Sequence, residues 1–111
     1  MRTRAVNEMT LSELLAARSE AEFQRDVLKT AKSRRWDFAY HTKISIGSSE
    51  GFPDLVFVRK RDRRVVWMEL KGPKTTVSAA QLAWNEALVA CGHEAYIFRP
   101  CDEERVREVL E

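Results

Sequence analysis

Apolar residues recur at helical spacing between Thr10 and about Arg34, first as Leu11, Leu14 and Leu15 and then as Phe23, Val27 and Ala31, with no interior Gly or Pro. That pattern predicts one or two helices. Two capping boxes, Thr10-Leu-Ser-Glu13 and Ser19-Glu-Ala-Glu22, supply start signals for a short leading helix and a main one. The aromatic and β-branched stretch from Trp36 to about Ile46 reads as a strand, and Gly47 to Pro53 as a loop. Asp54 to Arg59 and Val65 to Leu70 are short apolar runs separated by the charged segment RKRDRR, a pattern that predicts an antiparallel hairpin at the centre of a sheet, with both faces mostly covered. Ser78 to Cys91 returns to helical periodicity, opened by the capping box Ser78-Ala-Ala-Gln81 and closed by Gly92. Ala95 to Phe98 is a last strand, and DEERVREVLE a closing amphipathic helix after Pro100. The order of elements predicts an α/β fold with a mixed central β-sheet flanked by helices.

Length and composition narrow the class. The chain has 111 residues, 44% hydrophobic and 32% charged, which suits one small globular domain with a single core. Residues 1–18 are expected to be an extension, partly helical, and residues 19–111 the domain proper. No apolar run approaches the roughly 20 residues of a membrane span, and the first residues lack the apolar block of a signal peptide, so an intracellular protein is expected. Cys91 and Cys101 stand in no metal-ligand spacing, which argues against zinc and for reduced thiols. The formal net charge of +2 implies no partner by itself, although RKRDRR, Lys71 and Lys74 concentrate positive charge locally.

Candidate chemistry lies in GFPDLVFV and VVWMELKGPK. Glu69 and Lys71 are two apart and therefore share one strand face, while Met68 and Leu70 take the other. In an antiparallel hairpin Asp54 begins one strand where Glu69 ends its neighbour, so the two carboxylates meet at one end of the sheet. Two carboxylates with a lysine beside them suit a hard cation, Mg²⁺ or Mn²⁺. Taken singly, Asp54 also reads as a turn residue after Pro53, and Glu69 with Lys71 as an ion pair on a wet sheet face. Gln81 reads as the second half of its capping box, and Gly51 as the source of backbone freedom that aims Asp54.

Pro53-Asp54 followed by Glu69-Leu70-Lys71 resembles the PD-(D/E)xK nuclease signature. With GFPDL, ELKGPK, Ser78, Gln81, Trp84 and Gly92, it is similar to the VRR-NUC family, including small stand-alone phage members, over about residues 19 to 99. The resemblance implies a PD-(D/E)xK, restriction-endonuclease-like core and a Mg²⁺- or Mn²⁺-dependent deoxyribonuclease. It implies Asp54, Glu69 and the Leu70 carbonyl as metal ligands, and Lys71 as the group that orients water and offsets charge on the phosphate. The family also places a glutamate on the first helix. Glu20 shares the inward face of Phe23 and Val27, whereas Glu22 belongs to the Ser19 capping box, which favours Glu20. Gln24, one turn on, could orient Glu20 or pack as a half-buried polar residue. Resemblance to the family's helix glutamine adds a site role to Gln81.

The stand-alone members resemble Holliday-junction resolvases that act as homodimers. The expected activity is therefore a structure-selective DNA endonuclease on branched DNA, with a nuclease for flaps, nicks or single strands and a non-catalytic DNA-binding module as alternatives. His41, Ser48, Ser49, Arg59, Lys60, Arg61 and Lys74 are candidate DNA contacts, with the Arg34-Arg35 pair beside them. Each has a plain structural alternative: a histidine on an aromatic strand, loop serines, or a solvated hairpin tip. Trp84 reads as core or interface.

Overall fold

The structure, a computed structural model, describes residues 8–42 and 50–111. Thr10 caps α1 (Leu11–Ala16), its hydroxyl accepting the Glu13 N–H, and Ser19 caps α2 (Glu20–Ser33) through the Glu22 N–H. Among the described residues four strands follow in the order β1 (Phe38–His41), β2 (Leu55–Arg59), β3 (Arg64–Leu70) and β4 (Glu94–Phe98), which is also their order across the sheet. β1, β2 and β3 pair antiparallel and β4 runs parallel to β3. Parallel neighbours need a crossover, and α3 (Ala79–Ala90) supplies it. A 3₁₀ turn at Pro100–Asp102 leads into α4 (Glu103–Leu110). The mixed sheet with flanking helices is the expected α/β architecture. No helix among the described residues is long and apolar enough to cross a membrane.

The core fills one face of the sheet. Leu55 and Phe57 of β2, Val66, Met68 and Leu70 of β3 and Phe98 of β4 pack against Phe23, Val27 and Ala31 of α2 and Val106, Val109 and Leu110 of α4, all buried. Each large side chain buried there contributes about 1.5–3 kcal/mol. Arg18, just before α2, ties the helical layer together. Its guanidinium donates to the Leu15 carbonyl, Asp26 and Glu103, and lies over the Phe23 ring.

Three expectations are corrected here. The first strand is shorter than Trp36 to Ile46: β1 covers Phe38–His41, and residues 43–49 lie outside the described residues. Trp36 belongs to the core instead, its Nε1 donating to the Leu110 carbonyl. Second, the hairpin is open on its other face. α3 buries none of its residues completely, and Phe38 and Tyr40 of edge strand β1 are 66% and 62% exposed, with Val65 also exposed beside half-buried Val56, Val58 and Trp67. Apolar composition announces that a residue can be buried, but which face receives a helix is decided by topology.

The third correction concerns Arg59, expected to reach phosphate. It is 2% exposed. Its guanidinium makes paired hydrogen bonds to Asp62, donates to the carbonyls of Arg34 and Glu111, and lies 4.3 Å from the Trp36 ring centre. It is a strut between the hairpin, the end of α2 and the end of α4. Lys60 and Arg61, in the same charged run, are exposed as expected.

Candidate active site

The hairpin register brings the candidate carboxylates together. Leu55 pairs with Met68, so one step further Asp54 lies opposite Glu69. Asp54 is then fixed through its side chain: Oδ2 accepts the Leu70 N–H at 3.0 Å. A main-chain donor at the end of β3 thus holds the Asp54 carboxylate against the Glu69 peptide. The approach to Asp54 is fixed from both sides. The Thr42 hydroxyl donates to the Pro53 carbonyl at 2.7 Å, and the Thr42 N–H donates to the Asp54 carbonyl at 2.8 Å. Phe52 packs edge-on between Trp67 and Trp84, and Trp84 Nε1 donates to the Glu50 carbonyl.

Gly51 does more than turn the chain. Its φ is +81°, and a Cβ placed on it would meet the carbonyl carbon of Ala80 at 2.4 Å and the Gln81 nitrogen at 2.6 Å. Backbone therefore lies against backbone, and the loop that carries Asp54 is seated on the first turn of α3. Gln81 stands in that same turn. Its Oε1 accepts the Ser78 N–H and its Nε2 donates to Glu69 Oε2 at 3.0 Å. One end of the amide thus caps α3 while the other reaches Glu69.

Glu69 is 4% exposed, and Lys71 Nζ lies 3.7 Å from its Oε2. Its Oε1 has no hydrogen-bond partner among the described residues. Burial and the neighbouring Asp54 charge push the Glu69 carboxyl from its ordinary value near 4.5 up to about 8, with Lys71 opposing them only partly. A buried acceptor left without a donor is costly, and two carboxylates against one ammonium leave negative charge uncompensated. A proton or a cation would satisfy that oxygen and offset the charge. Among the described residues no group of three or more His, Cys, Asp or Glu side chains gathers as a metal site. The oxygen set here is the two carboxylates of Asp54 and Glu69, which fits a hard cation that retains water.

The remaining candidates separate by position. Glu20, expected on the inward face, is exposed; as the first residue of α2 it precedes the turn at which that face closes over the sheet. It nonetheless borders the site, since a Cβ on Gly72 would lie 3.7 Å from Glu20 Cβ. Gln24 is half-buried. His41 is exposed at the end of β1, paired in register with Leu55, and Lys74 is exposed in the loop after β3. Ser48 and Ser49 lie outside the described residues. Arg99, which the sequence did not single out, donates to the Gly72 carbonyl at 2.9 Å and secures the segment after Lys71.

The chain matches the VRR-NUC domain over residues 6–100. It belongs to the VRR-NUC family. A solved structure described as a VRR_NUC domain protein superposes with a TM-score of 0.61 at 22% identity, covering 85% of this chain and 86% of that one. At that identity the likeness establishes the fold. No curated protein matches the chain. The VRR-NUC domain is a nuclease-type domain, with DNA as the implied substrate, and its match includes the segment that carries Asp54, Glu69, Lys71 and Gln81.

Proposed function

We propose that this VRR-NUC domain is a divalent-metal-dependent, structure-selective DNA endonuclease that acts on branched DNA in the manner of a Holliday-junction resolvase. The observation that carries the reading is Glu69: a buried carboxylate with one unpartnered oxygen, beside Asp54 and within reach of Lys71 and Gln81. Asp54, Glu69 and the Leu70 carbonyl would hold Mg²⁺ or Mn²⁺, and the bound cation would supply Lewis-acid polarisation of the phosphodiester and a more acidic water. The Gln81 amide fixes the rotation of the Glu69 carboxylate by occupying Oε2, which leaves the buried Oε1 without a donor. Lys71 offsets negative charge on the phosphate oxygens, a task that a compact ammonium performs from a buried stem. Glu20, at the rim beside Gly72, is a further acceptor for a water. A homodimer is part of the proposal, supported by the apolar surface around Phe38 and Tyr40; a two-fold axis would present two sites to one junction.

Cleavage of a labelled four-way junction beside matched duplex, flap and single-strand substrates tests it, with Mg²⁺ or Mn²⁺ against EDTA and wild type against Glu69→Gln. Metal-dependent junction cutting, lost in the variant, is the expected result. Cutting of flaps or single strands alone would retain the site and remove the resolvase reading, and folded protein that cuts nothing would favour a binding module.

A further inference from the structure

Thr42, Asp54 and Glu69 form one row across three strands. His41 pairs with Leu55 and Leu55 with Met68, so one step further Thr42 lies opposite Asp54 and Asp54 opposite Glu69. Directly opposed residues of an antiparallel pair project to the same face, which puts the Thr42 side chain on the side of the sheet that carries both carboxylates. The next row on this face, Tyr40, Val56 and Trp67, is apolar or aromatic. Thr42 is half-buried, and its hydroxyl donates to the Pro53 carbonyl at 2.7 Å and lies 3.2 Å from the Asp54 carbonyl. The Asp54 carbonyl also accepts the Thr42 N–H at 2.8 Å. Pro53 is buried, and among the described residues its carbonyl has no other donor.

These bonds remove the freedom that the loop leaves. The ring of Pro53 fixes its own φ at about −65°, so the ψ of Pro53 is the torsion that decides where the next peptide, and with it Asp54, is directed. The Thr42 hydroxyl holds the Pro53 carbonyl and thereby that ψ, while the Thr42 N–H holds the carbonyl on the other side of the Asp54 Cα. With both flanking peptides held, the Asp54 Cα–Cβ bond has one direction, and the Leu70 N–H then sets the rotation of the carboxylate. From this arrangement we infer that Thr42 is a positioning residue, whose hydroxyl aims the Asp54 carboxylate at the Leu70 N–H and towards Glu69. Its consequence for a bound metal rests on the nuclease reading; the positioning itself does not. Groups that orient a metal ligand from behind are worth about 10- to 100-fold in metal affinity or activity. A valine would keep the branched shape and the N–H, so the hydroxyl alone carries the role.

The test compares wild type with Thr42→Val and Thr42→Ser by amide hydrogen exchange in EDTA, by Mn²⁺ binding and by cleavage of a labelled four-way junction. Thr42→Val is expected to fold and to exchange its Leu70 amide about 10-fold or more faster. The amides of Phe57 and Val66, paired in the middle of the hairpin, should keep their wild-type rates. Mn²⁺ should bind about 10- to 100-fold more weakly, and kcat should fall while KM for the junction stays unchanged. Thr42→Ser should restore all of these. Wild-type protection of Leu70 in folded Thr42→Val overturns the positioning role. So does a loss shared equally by Phe57 and Val66, or one that serine does not rescue. Where wild type binds Mn²⁺, a valine variant that loses Leu70 protection yet binds the metal as tightly overturns it too. The Thr42 hydroxyl proton gives a reading that needs no variant: held by the Pro53 carbonyl, it should exchange slowly with water and be visible by NMR in the wild type. A freely exchanging hydroxyl overturns the role even if Thr42→Val fails to fold. If the Leu70 effect is present but wild type neither binds Mn²⁺ nor cuts any substrate, the nuclease reading is defeated and the positioning role is kept.

Discussion

Burial and the Asp54 charge both push the Glu69 carboxyl upward, and the direction of that effect is testable. Its folded value near 8 lies above the ordinary value near 4.5. Between those pH values the native state therefore binds more protons than the unfolded chain, so metal-free stability should fall as pH rises through that window. The expected change is on the order of a few kcal/mol at most. Glu69→Gln should flatten the slope in urea titrations, and Mg²⁺ should reduce it by taking the proton's place. An unchanged slope in the variant would mean that Glu69 is not the titrating group. Gly51 gives the second prediction at this scale. Gly51→Ala forces a Cβ into the α3 backbone at an unfavourable φ and should cost roughly 2–4 kcal/mol, with cleavage reduced further because Asp54 and Gln81 are displaced together. The meeting of Asp54, Glu69 and Lys71 at one end of the hairpin was legible in the sequence because strand parity and hairpin register are local rules. The close approach at Gly51 was not, since it depends on where α3 lands.

Among the elements, the helix caps were legible in detail: Ser78 and Gln81 make both halves of their box, and Gly92 takes the left-handed conformation with φ +83°. The fate of individual arginines was not legible. Arg59 sits in a run of charges that reads as solvent-exposed, yet it is closed over by the ends of α2 and α4, elements distant in sequence. Arg59→Met should therefore lower stability by roughly 2–4 kcal/mol, by removing hydrogen bonds to Asp62 and to main-chain carbonyls, while DNA affinity per folded molecule stays near wild type. A large affinity loss with unchanged stability would restore the phosphate role. Arg64 acts in a related way between β3 and β4, with two hydrogen bonds to Glu94 and one to the Val109 carbonyl. The Arg64 guanidinium holds the Glu94 carboxyl below its ordinary value. That contribution is present above the ordinary carboxylate range and is lost as pH falls through the depressed value. Glu94→Gln should therefore remove part of the acid sensitivity below about pH 4, as followed by circular dichroism.

For the whole molecule, the order of elements and the central position of the hairpin were predictable from periodicity, because each strand and helix writes its own repeat. The half-covered sheet was not, since α3 reaches only part of the second face. If that face joins two copies, Phe38→Ser with Tyr40→Ser should convert a dimer into a folded monomer in sedimentation experiments, and junction cutting should change from paired to single incisions. Wild type that sediments as a monomer across micromolar concentrations would remove the dimer. The parallel pairing of β3 with β4 also acts in time. β2 and β3 are joined by a tight turn and can close early, whereas β4 must wait for the α3 crossover. Asp54 and Glu69 are therefore expected to meet before Gln81 arrives to bind one of them. Repulsion in that interval is expected to slow the chain, so refolding of this domain should accelerate in mild acid or with added Mg²⁺.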